Sequence, residues 1–407
     1  MRYRYLAVAA GLVLLSATML AQGPQAKPED VGMSSERLKR IHALMERAQK
    51  EGRITGGVTL VARRGKIAHF EAHGIKNLES REPMTKDTLF RMASCSKPVT
   101  AVAILMLMED GKLRLNDPVS RFIPEFKETK VAVQKDGKVE LVDASRAVTI
   151  LDLLTHTSGL GSGGIGTRQI PNNDRQPNGN DTLNDYALRL ARMPLDFQPG
   201  TLWRYSGLAG IDVLARIVEV ASGQPFDVFL KQNIFEPLGM KDTGFLVPES
   251  QTPRLATIYQ RTAKGLEVRP PFTFLATKTY SSGAGGLTST AEDWWRFAQM
   301  LGNGGELHGK RLLSPRTVEL MASNHVGTLF TNQLNRKEGM GFGLTVEVVQ
   351  DNIKAGTRRS NGSFGWDGAF GTHFWVDPKE KLVAVLLIQT HDMHRDYENA
   401  VMQALVE

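Results

Sequence analysis

Cysteine is almost absent from this 407-residue chain, in which Cys95 stands alone. A single cysteine excludes an intrachain disulfide, so the fold must rest on buried apolar side chains, and 41% hydrophobic residues are enough for a large core. A run of basic residues interleaved with aromatic ones is also lacking, although the formal net charge is +7. The excess charge therefore favours solubility, and we do not expect nucleic acid as a partner.

Several common catalytic and cofactor signatures are missing as well. The chain has no G-x-S-x-G nucleophile elbow and no H-E-x-x-H zinc motif. Residues 159–164 satisfy the spacing G-x-G-x-x-G, but no predicted strand precedes them and no predicted helix follows, so we interpret them as a loop. Residues 304–310 approach a phosphate loop and fail at Arg311, where Ser or Thr is required. We therefore expect no metal and no other cofactor.

Apolar runs that concern a membrane are confined to the N-terminus. Arg2 and Arg4 give a basic start, residues 6–20 form an uncharged apolar run, and Ala21 offers a small-residue cleavage point. This order is typical of a secretory signal, so we predict a signal peptide at residues 1–21 and a periplasmic or secreted protein without stable membrane insertion. An uncleaved anchor stays the alternative, although the run is shorter than the roughly 18 residues that a membrane span requires.

The residues that follow position 93 give the strongest chemical signal. Ser94 and Lys97 are three residues apart at the start of a predicted helix, so one helical turn brings the amine to the hydroxyl. Pro98 suits a first turn and Gly111 a C-terminal stop, which predicts a helix from Ser94 to the residue before Gly111. Residues 99–108 leave almost no polar face, as in a buried helix. Burial would favour the neutral, basic form of the Lys97 amine.

From this tetrapeptide alone, a purely structural role for both residues stays open as the alternative. Ser94 could cap the helix, and Lys97 could be a solvated first-turn residue. Other parts of the chain must decide between the two interpretations.

Hydrophobic periodicity predicts strands near both ends of the chain and helices between them. Strands are predicted at residues 57–62, 66–72, 341–349, 371–376 and 382–388, and the main helices at 35–49, 94–110, 183–192, 211–222, 225–234, 291–301 and 394–406. We therefore predict an α+β fold, with a central antiparallel sheet built from the N- and C-terminal segments, flanking helices and a mostly helical insertion. The predicted sheet domain comprises residues 27–98 and 281–407, and the helical domain residues 99–280. Residues 161–181 are predicted as a long surface loop at the rim of a pocket.

Two pairs of histidines raise the question of a metal site. His69 and His73 lie four residues apart on the second predicted strand, and His391 and His394 lie near the C-terminus. A histidine pair on a strand without carboxylate support is more often structural. We interpret the C-terminal pair as surface residues.

Three motifs, of which Ser94-x-x-Lys97 is the first, occur in one order along the chain. They are Ser94-x-x-Lys97, Tyr205-Ser206-Gly207 and Trp366-Asp367-Gly368. Together they resemble the three motifs of the serine β-lactamase and penicillin-binding protein superfamily, and most closely those of class C β-lactamases and family VIII carboxylesterases. Residues 153–159, 283–290 and 371–378 are further segments that resemble this superfamily, so the resemblance extends over residues 30–400.

The resemblance implies a role for each motif. Ser94 would attack a carbonyl and hold the acyl group, Lys97 would hold or take its proton, and Tyr205 would act with Lys97 as general base and pass a proton to the leaving group. The third motif is expected on the edge strand that faces Ser94, where backbone N–H groups of Ser94 and Ala369 would form the oxyanion hole. Substrate contacts are implied for Gly207, Trp366, Asp367 and Gly368.

Two positions depart from the pattern of the β-lactamases. Those enzymes usually have Asn where this chain has Gly207, and Lys where it has Trp366. Glycine offers no side-chain amide to a substrate, and an indole has one N–H donor and no charge for the carboxylate of a β-lactam. Both differences favour neutral esters, although Trp366 is also interpretable as a packing aromatic beside the cleft.

The leading hypothesis is an exported serine hydrolase that cleaves a small-molecule carboxylic ester, or transfers its acyl group, without a cofactor. The alternatives are a β-lactamase or D-alanyl-D-alanine carboxypeptidase acting on an amide and, in another class, an inactive penicillin-binding-like protein that only binds its ligand. A thiol mechanism through Cys95 and His156 is disfavoured, because Cys95 points about 100° away from the helix face of Ser94 and Lys97. The physiological substrate and the oligomeric state stay open.

Overall fold

The computed structural model describes residues 23–331, 338–390 and 393–407. The predicted signal peptide at residues 1–21 and the surface position predicted for His391 lie outside the described residues. Within the described ranges, no helix combines the length and the apolar character that a membrane crossing requires.

A seven-stranded antiparallel sheet forms the centre of the fold. Its strands are, in chain order, β1 (Gly56–Arg63), β2 (Lys66–Gly74), β3 (Met340–Phe342), β4 (Glu347–Val349), β5 (Phe364–Asp367), β6 (His373–Asp377) and β7 (Leu382–Ile388). They lie side by side in the order β3-β4-β5-β6-β7-β1-β2, and neighbouring strands run antiparallel. The first strand of the chain thus pairs with the last. The predicted α+β class is confirmed, with a sheet assembled from both ends of the sequence.

Helices supply most of the remaining regular structure. The α-helices of the described residues are α1 (Ser35–Lys50), α2 (Ser96–Glu109), α3 (Ile150–Leu154), α4 (Ile165–Arg168), α5 (Leu183–Ala191), α6 (Ala209–Ser222), α7 (Phe226–Leu230), α8 (Glu236–Leu238), α9 (Ala291–Gly302), α10 (Pro315–Met321), α11 (Asn352–Ala355) and α12 (His394–Met402). Two-stranded ribbons pair Phe90–Arg91 with Thr288–Ser289, Lys130–Lys135 with Lys138–Asp143, Tyr259–Thr262 with Gly265–Val268, and Glu306–Leu307 with Lys310–Arg311.

The sheet is covered on both faces because its central strands are apolar on both sides. β1 and β7 are buried along their whole length. Helices α1 and α12 pack together on one face, where α1 contributes apolar residues at a helical period and Ser34 caps its N-terminus by accepting the N–H of Arg37. Helix α9 packs on the opposite face, against β6, β7 and β1. The sheet therefore separates two hydrophobic cores, of which the α9 side contains α2.

Helix α2 is the buried rod that the sequence predicted. Most of its residues are buried, and it packs against α6. Pro98 lies in its first turn, and Gly111 follows the helix with a φ of 71°. The regular α-helix begins at Ser96, after a 3₁₀ turn at Ala93–Cys95, so the predicted start at Ser94 falls on that turn.

Two predictions about the C-terminal strands were wrong. Residues 341–349 form a hairpin of β3 and β4 rather than one strand, and Thr345 adopts a φ of 66° in the turn between them. This hairpin extends the sheet beyond β5, which bears the third motif. The motif therefore lies on an interior strand and not on the edge strand that we expected.

Residues 161–181 also differ from the prediction of a plain loop. They contain α4 and a 3₁₀ turn at Asn172–Asp174. Asp196 stabilises this segment by accepting hydrogen bonds from the backbone N–H groups of Ser162 and Thr167. The division of the chain at residues 98 and 281 stays a prediction.

Candidate active site

Ser94 lies in the 3₁₀ turn that leads into α2. The preceding residue, Ala93, has a φ of 47°, a left-handed conformation that is uncommon for alanine. Lys97 follows one turn later, and its Nζ is 3.3 Å from the Oγ of Ser94. The structure therefore brings the amine and the hydroxyl together, as their spacing in the sequence predicts.

The side-chain nitrogen of Lys97 contacts two backbone carbonyls in addition to Ser94. The side chain is buried, with 1% of its surface exposed. Its Nζ donates to the carbonyl oxygens of Gly207 and Ala284, each at 2.7 Å. Together with the Ser94 hydroxyl these oxygens give Nζ three polar neighbours.

Asp212 on α6 organises the segment that presents Ala284. This carboxylate is 1% exposed and accepts hydrogen bonds from Tyr280 Oη at 2.7 Å, Ser282 Oγ at 2.9 Å and the Ala284 N–H at 3.0 Å. Burial raises the pKa of Asp212 to about 6, although these donors act in the opposite direction. The sequence analysis missed Asp212. An acidic residue between the apolar Ile211 and Val213, on a helix predicted to be buried, was the signal that could have found it.

Tyr205 comes close to Lys97 because the segment around it is fixed by His156. The Nδ1 of His156 accepts the N–H of Ser206 at 3.3 Å, and its carbonyl oxygen accepts the N–H of Arg204 at 3.0 Å. The His156 ring also lies 4.7 Å from the Tyr205 ring, measured between centroids. The Nζ of Lys97 is then 5.2 Å from the centroid of the Tyr205 ring. The tyrosine motif and the Ser-x-x-Lys motif thus meet in space.

The third motif reaches the same place through β5. The indole of Trp366 is 4% exposed and lies 5.7 Å from the Tyr205 ring. Gly368 passes so close to the nucleophile segment that a Cβ on it would collide with Thr372 Oγ1 and the carbonyl oxygen of Met92. Thr372 Oγ1 itself donates to that carbonyl at 2.9 Å. This close approach requires glycine and brings the next residue, Ala369, to the cavity that contains Ser94.

Most of the predicted site residues line one cavity of about 740 Å³. Ser94, Tyr205, Trp366, Asp367, Gly368 and Ala369 line it. Lys97 lies beneath Ser94 and contacts it. Gly207 contacts Lys97 through its backbone, because its carbonyl oxygen accepts a hydrogen bond from Lys97 Nζ. The sequence analysis did not predict this contact. Among the described residues, the wall of this cavity includes none from 161–181, so that segment does not form the expected rim.

The far wall of the cavity is charged, which the sequence analysis did not predict. It is formed by Glu347, Arg359, His373, His394, Arg395 and Glu398. Arg359 is buried and pairs with Glu347 at 2.9 Å and with Glu398 at 3.5 Å. These side chains come from β4, β6, α12 and a loop, so only the folded sheet brings them together.

His394 is not the surface residue that we expected. Its Nδ1 lies 3.4 Å from Asp367 Oδ2, and its ring stacks on that of His373 at 4.4 Å between centroids. Burial lowers the pKa of His373 well below its usual value, so this ring is neutral at physiological pH. Asp367 therefore faces a histidine pair at the mouth of the cavity.

Cys95 is turned away from the cavity. Its Sγ lies 3.7 Å from the carbonyl oxygen of Trp366 and 3.6 Å from that of Thr372. Burial raises the pKa of the thiol, which disfavours a thiolate. The geometry thus agrees with the argument against a cysteine nucleophile.

Comparison with known proteins identifies relatives along most of the chain. A sequence profile of the family described as "Beta-lactamase" matches residues 41–406. Protein Rv1367c of Mycobacterium tuberculosis is 37% identical over 357 residues, which cover 83% of this chain and 86% of that protein. Esterase EstB of Burkholderia gladioli is 34% identical over 377 residues, covering 86% and 90% respectively. Among solved structures, EstCE1, a hydrolase with promiscuous acyltransferase activity, has a TM-score of 0.76 at 29% identity and covers 91% of this chain and 99% of its own.

Proposed function

The chain belongs to the β-lactamase family, and on that basis we propose that it is an exported carboxylesterase that acts through an acyl-Ser94 intermediate. Ester hydrolysis is supported at the level of the family, since EstB is named an esterase and EstCE1 a hydrolase. The main support for the finer proposal is the 3.3 Å contact between Lys97 Nζ and Ser94 Oγ, at a cavity that Tyr205 also lines.

In the proposed reaction the Ser94 oxygen attacks the ester carbonyl carbon while its proton passes to the general base that Tyr205 and Lys97 form together. The tetrahedral intermediate then breaks its bond to the alcohol oxygen, and Tyr205 returns the proton to the leaving alcohol. Water next attacks the acyl-Ser94 carbonyl and gives a proton to Tyr205. Release of the carboxylic acid frees the Ser94 oxygen, which takes that proton back, so the cycle restores the enzyme.

Lys97 shares the role of general base with Tyr205 in this scheme. Its Nζ lies 3.3 Å from Ser94 Oγ, 2.7 Å from each of the carbonyl oxygens of Gly207 and Ala284, and 5.2 Å from the centroid of the Tyr205 ring. Two N–H groups donated to the carbonyls leave the third position of Nζ to the Ser94 hydroxyl, so the amine can hold or take its proton.

The backbone N–H groups of Ser94 and Ala369 are proposed to stabilise the oxyanion. Both residues line the cavity, and Gly368 permits the close approach of the strand that brings Ala369 there. Donors arranged before the reaction stabilise the negative charge as it develops, and the loss of one such donor typically lowers turnover by about 10²–10³-fold.

The lining of the cavity favours esters over β-lactams. Trp366 contributes an apolar ring and no cation where β-lactamases use lysine, and Gly207 contributes no amide. The space around Gly207 is open, since a Cβ there would meet nothing within 4 Å.

A panel of p-nitrophenyl esters, measured beside nitrocefin, tests the proposal. Wild-type protein should hydrolyse esters and react with a fluorophosphonate probe, whereas Ser94→Ala should do neither. Ser96→Ala is the matched control. The Ser96 hydroxyl accepts the N–H of Leu287 at 3.2 Å and has no role in the proposed reaction, so this variant should still be labelled. Ester hydrolysis by Ser94→Ala would contradict the mechanism, and failure of wild-type protein to be labelled would favour the binding-protein alternative. Cell fractionation tests export, and recovery of the protein only from the cytoplasm would contradict it. The N-terminal mass tests cleavage of the signal peptide, which a retained Met1 would contradict.

A further inference from the structure

A group of side chains with metal-binding chemistry lies apart from the Ser94 cavity, at the edge of the sheet on the α1 side. His42 comes from α1, and Glu71 and His73 come from the edge strand β2. One ligand atom from each residue lies within 4.8 Å of the others. The interpretation of the strand histidines as lacking a carboxylate was therefore wrong: Glu71 alternates with His69 and His73 on one face of the strand.

Each imidazole of this group has its outer nitrogen held by an oxygen atom. The Nε2 of His73 is 2.9 Å from Thr59 Oγ1, and the Nε2 of His42 is 3.5 Å from Glu46 Oε1. Both rings consequently direct Nδ1 towards Glu71. Histidine ligands of metals are usually oriented in this way by a second hydrogen bond from the far nitrogen.

The spacing of the rings suits one shared ion. The centroids of His42 and His73 are 5.6 Å apart. Two imidazoles bound to one tetrahedral zinc ion, at about 2.0–2.1 Å from each nitrogen, have centroids roughly 5 Å apart. Neighbouring ligand atoms around such an ion lie about 3.3 Å apart.

Glu71 needs only a small movement to complete this arrangement. Its Oε1 is 2.6 Å from His42 Nδ1 and 4.0 Å from His73 Nδ1. A shift of less than about 1 Å towards His73 would bring both distances to the value for a zinc ion. The carboxylate is free to move in this way, because its side chain is 37% exposed.

We propose that His42, Glu71 and His73 bind one divalent transition metal ion, with Zn²⁺ the preferred ion for this set of nitrogen and oxygen ligands. A surface hollow of about 280 Å³, lined by residues that include His42, His69 and Glu71, leaves room for a water molecule as fourth ligand. The ion joins α1 to the edge strand β2. It lies on the α1 side of the sheet, whereas Ser94 lies on the α9 side, so it stabilises the fold and takes no part in ester hydrolysis.

Calorimetric titration of the full chain with zinc chloride, after chelator treatment and removal of any purification tag, tests the site. Wild-type protein should bind one Zn²⁺ per chain and melt at a higher temperature in its presence. His42→Ala and the isosteric Glu71→Gln should each weaken binding at least tenfold. His42 and Glu71 are both partly exposed, so these variants are expected to fold.

Two control variants separate this site from general surface binding. His308→Asn removes an exposed imidazole elsewhere, and Glu36→Gln removes a carboxylate from the exposed side of α1. Both should bind Zn²⁺ as wild-type protein does. Cobalt in place of zinc should give the intense absorption of a tetrahedral site in wild-type protein and not in Glu71→Gln. Absence of binding to wild-type protein, or equal binding by His42→Ala and Glu71→Gln, would overturn the proposal.

Discussion

The Nζ of Lys97 lies 2.7 Å from the carbonyl oxygen of Gly207, so the tyrosine motif is joined to the nucleophile helix through its backbone. This bond does not depend on the side chain at position 207. A chain that lacks the usual asparagine can therefore keep the positions of Lys97 and Tyr205 while the lining of the cavity changes.

Replacement of Tyr205 by phenylalanine should abolish most of the turnover without unfolding the protein. Tyr205→Phe keeps the ring that packs against His156 and removes only the phenol oxygen to which we assign the proton transfer. Loss of a general acid–base group typically lowers kcat by roughly 10²–10⁴-fold. Steady-state kinetics on p-nitrophenyl butyrate, with the melting temperature as a check on folding, measure the effect. Unchanged kcat would remove Tyr205 from the mechanism.

Asp212→Asn should lower kcat through the position of Lys97. Asparagine has one acceptor oxygen where the carboxylate accepts from Tyr280, Ser282 and Ala284, so one donor is left facing an NH₂ group. We expect about 1–3 kcal/mol less stability and at least a tenfold loss of kcat with little change in KM.

Tyr280→Phe provides the graded comparison for Asp212→Asn. It removes one donor and keeps the Ala284 N–H on the carboxylate, so its loss of kcat should be smaller. If Asp212→Asn lowers the melting temperature and leaves kcat intact, the carboxylate only supports the fold and does not position Lys97.

Two glycines near the site should respond differently to a methyl group. In Gly368→Ala the new Cβ would collide with Thr372 and Met92, and the forced backbone shift should cost about 1–3 kcal/mol and most of the activity. In Gly207→Ala the Cβ enters open space, so the free energy of unfolding should change by less than about 1 kcal/mol. Urea denaturation of both variants measures the difference, and equal destabilisation would contradict the close approach at Gly368.

The pH dependence of stability should report on Asp293. Burial raises the pKa of this carboxyl to about 6 from an ordinary value of 3.8, although it accepts hydrogen bonds from the Asp242 N–H at 2.7 Å and the Thr243 hydroxyl at 3.0 Å. Between these values the folded state binds more protons than the unfolded state. This group therefore lowers stability as the pH rises from about 4 to 6.

Asp293→Asn removes that contribution while it keeps an acceptor oxygen. Its free energy of unfolding, from urea titrations at pH 4, 5 and 6, should fall less with rising pH than that of wild-type protein. The difference in slope should approach 1.4 kcal/mol per pH unit at most. Parallel curves for the two proteins would contradict the raised pKa.

Local patterns in the sequence were sufficient to predict much of the fold. The apolar run after Lys97 predicted the buried helix, and the apolar patterns near both termini predicted five strand regions. The interior position of the third motif was not predicted, because the short β3 and β4 hardly differ in pattern from one continuous strand. The turn at residues 343–346, in which Thr345 adopts a left-handed conformation, separates them.

The surroundings of the motifs were harder to predict because they consist of long-range contacts. The carbonyl oxygen of Ala284 contacts Lys97, and the carboxylate of Asp212 accepts the N–H of Ala284. Neither contact has a local signature, because the three residues are far apart in sequence. The charged wall around Arg359 is assembled only when β4 and α12 meet. Glu71, in contrast, was visible in the sequence as part of an alternating pattern with His69 and His73.

The pairing of β1 with β7 sets the order in which this protein can acquire its structure. Gly57 lies opposite Ile388, so the middle of the sheet stays incomplete until nearly the whole polypeptide has been synthesised. Contacts between such distant parts of a chain form slowly, because a large loop must close first. A chain truncated before β7 would leave β1 without its inner neighbour, so the centre of the sheet could not be completed.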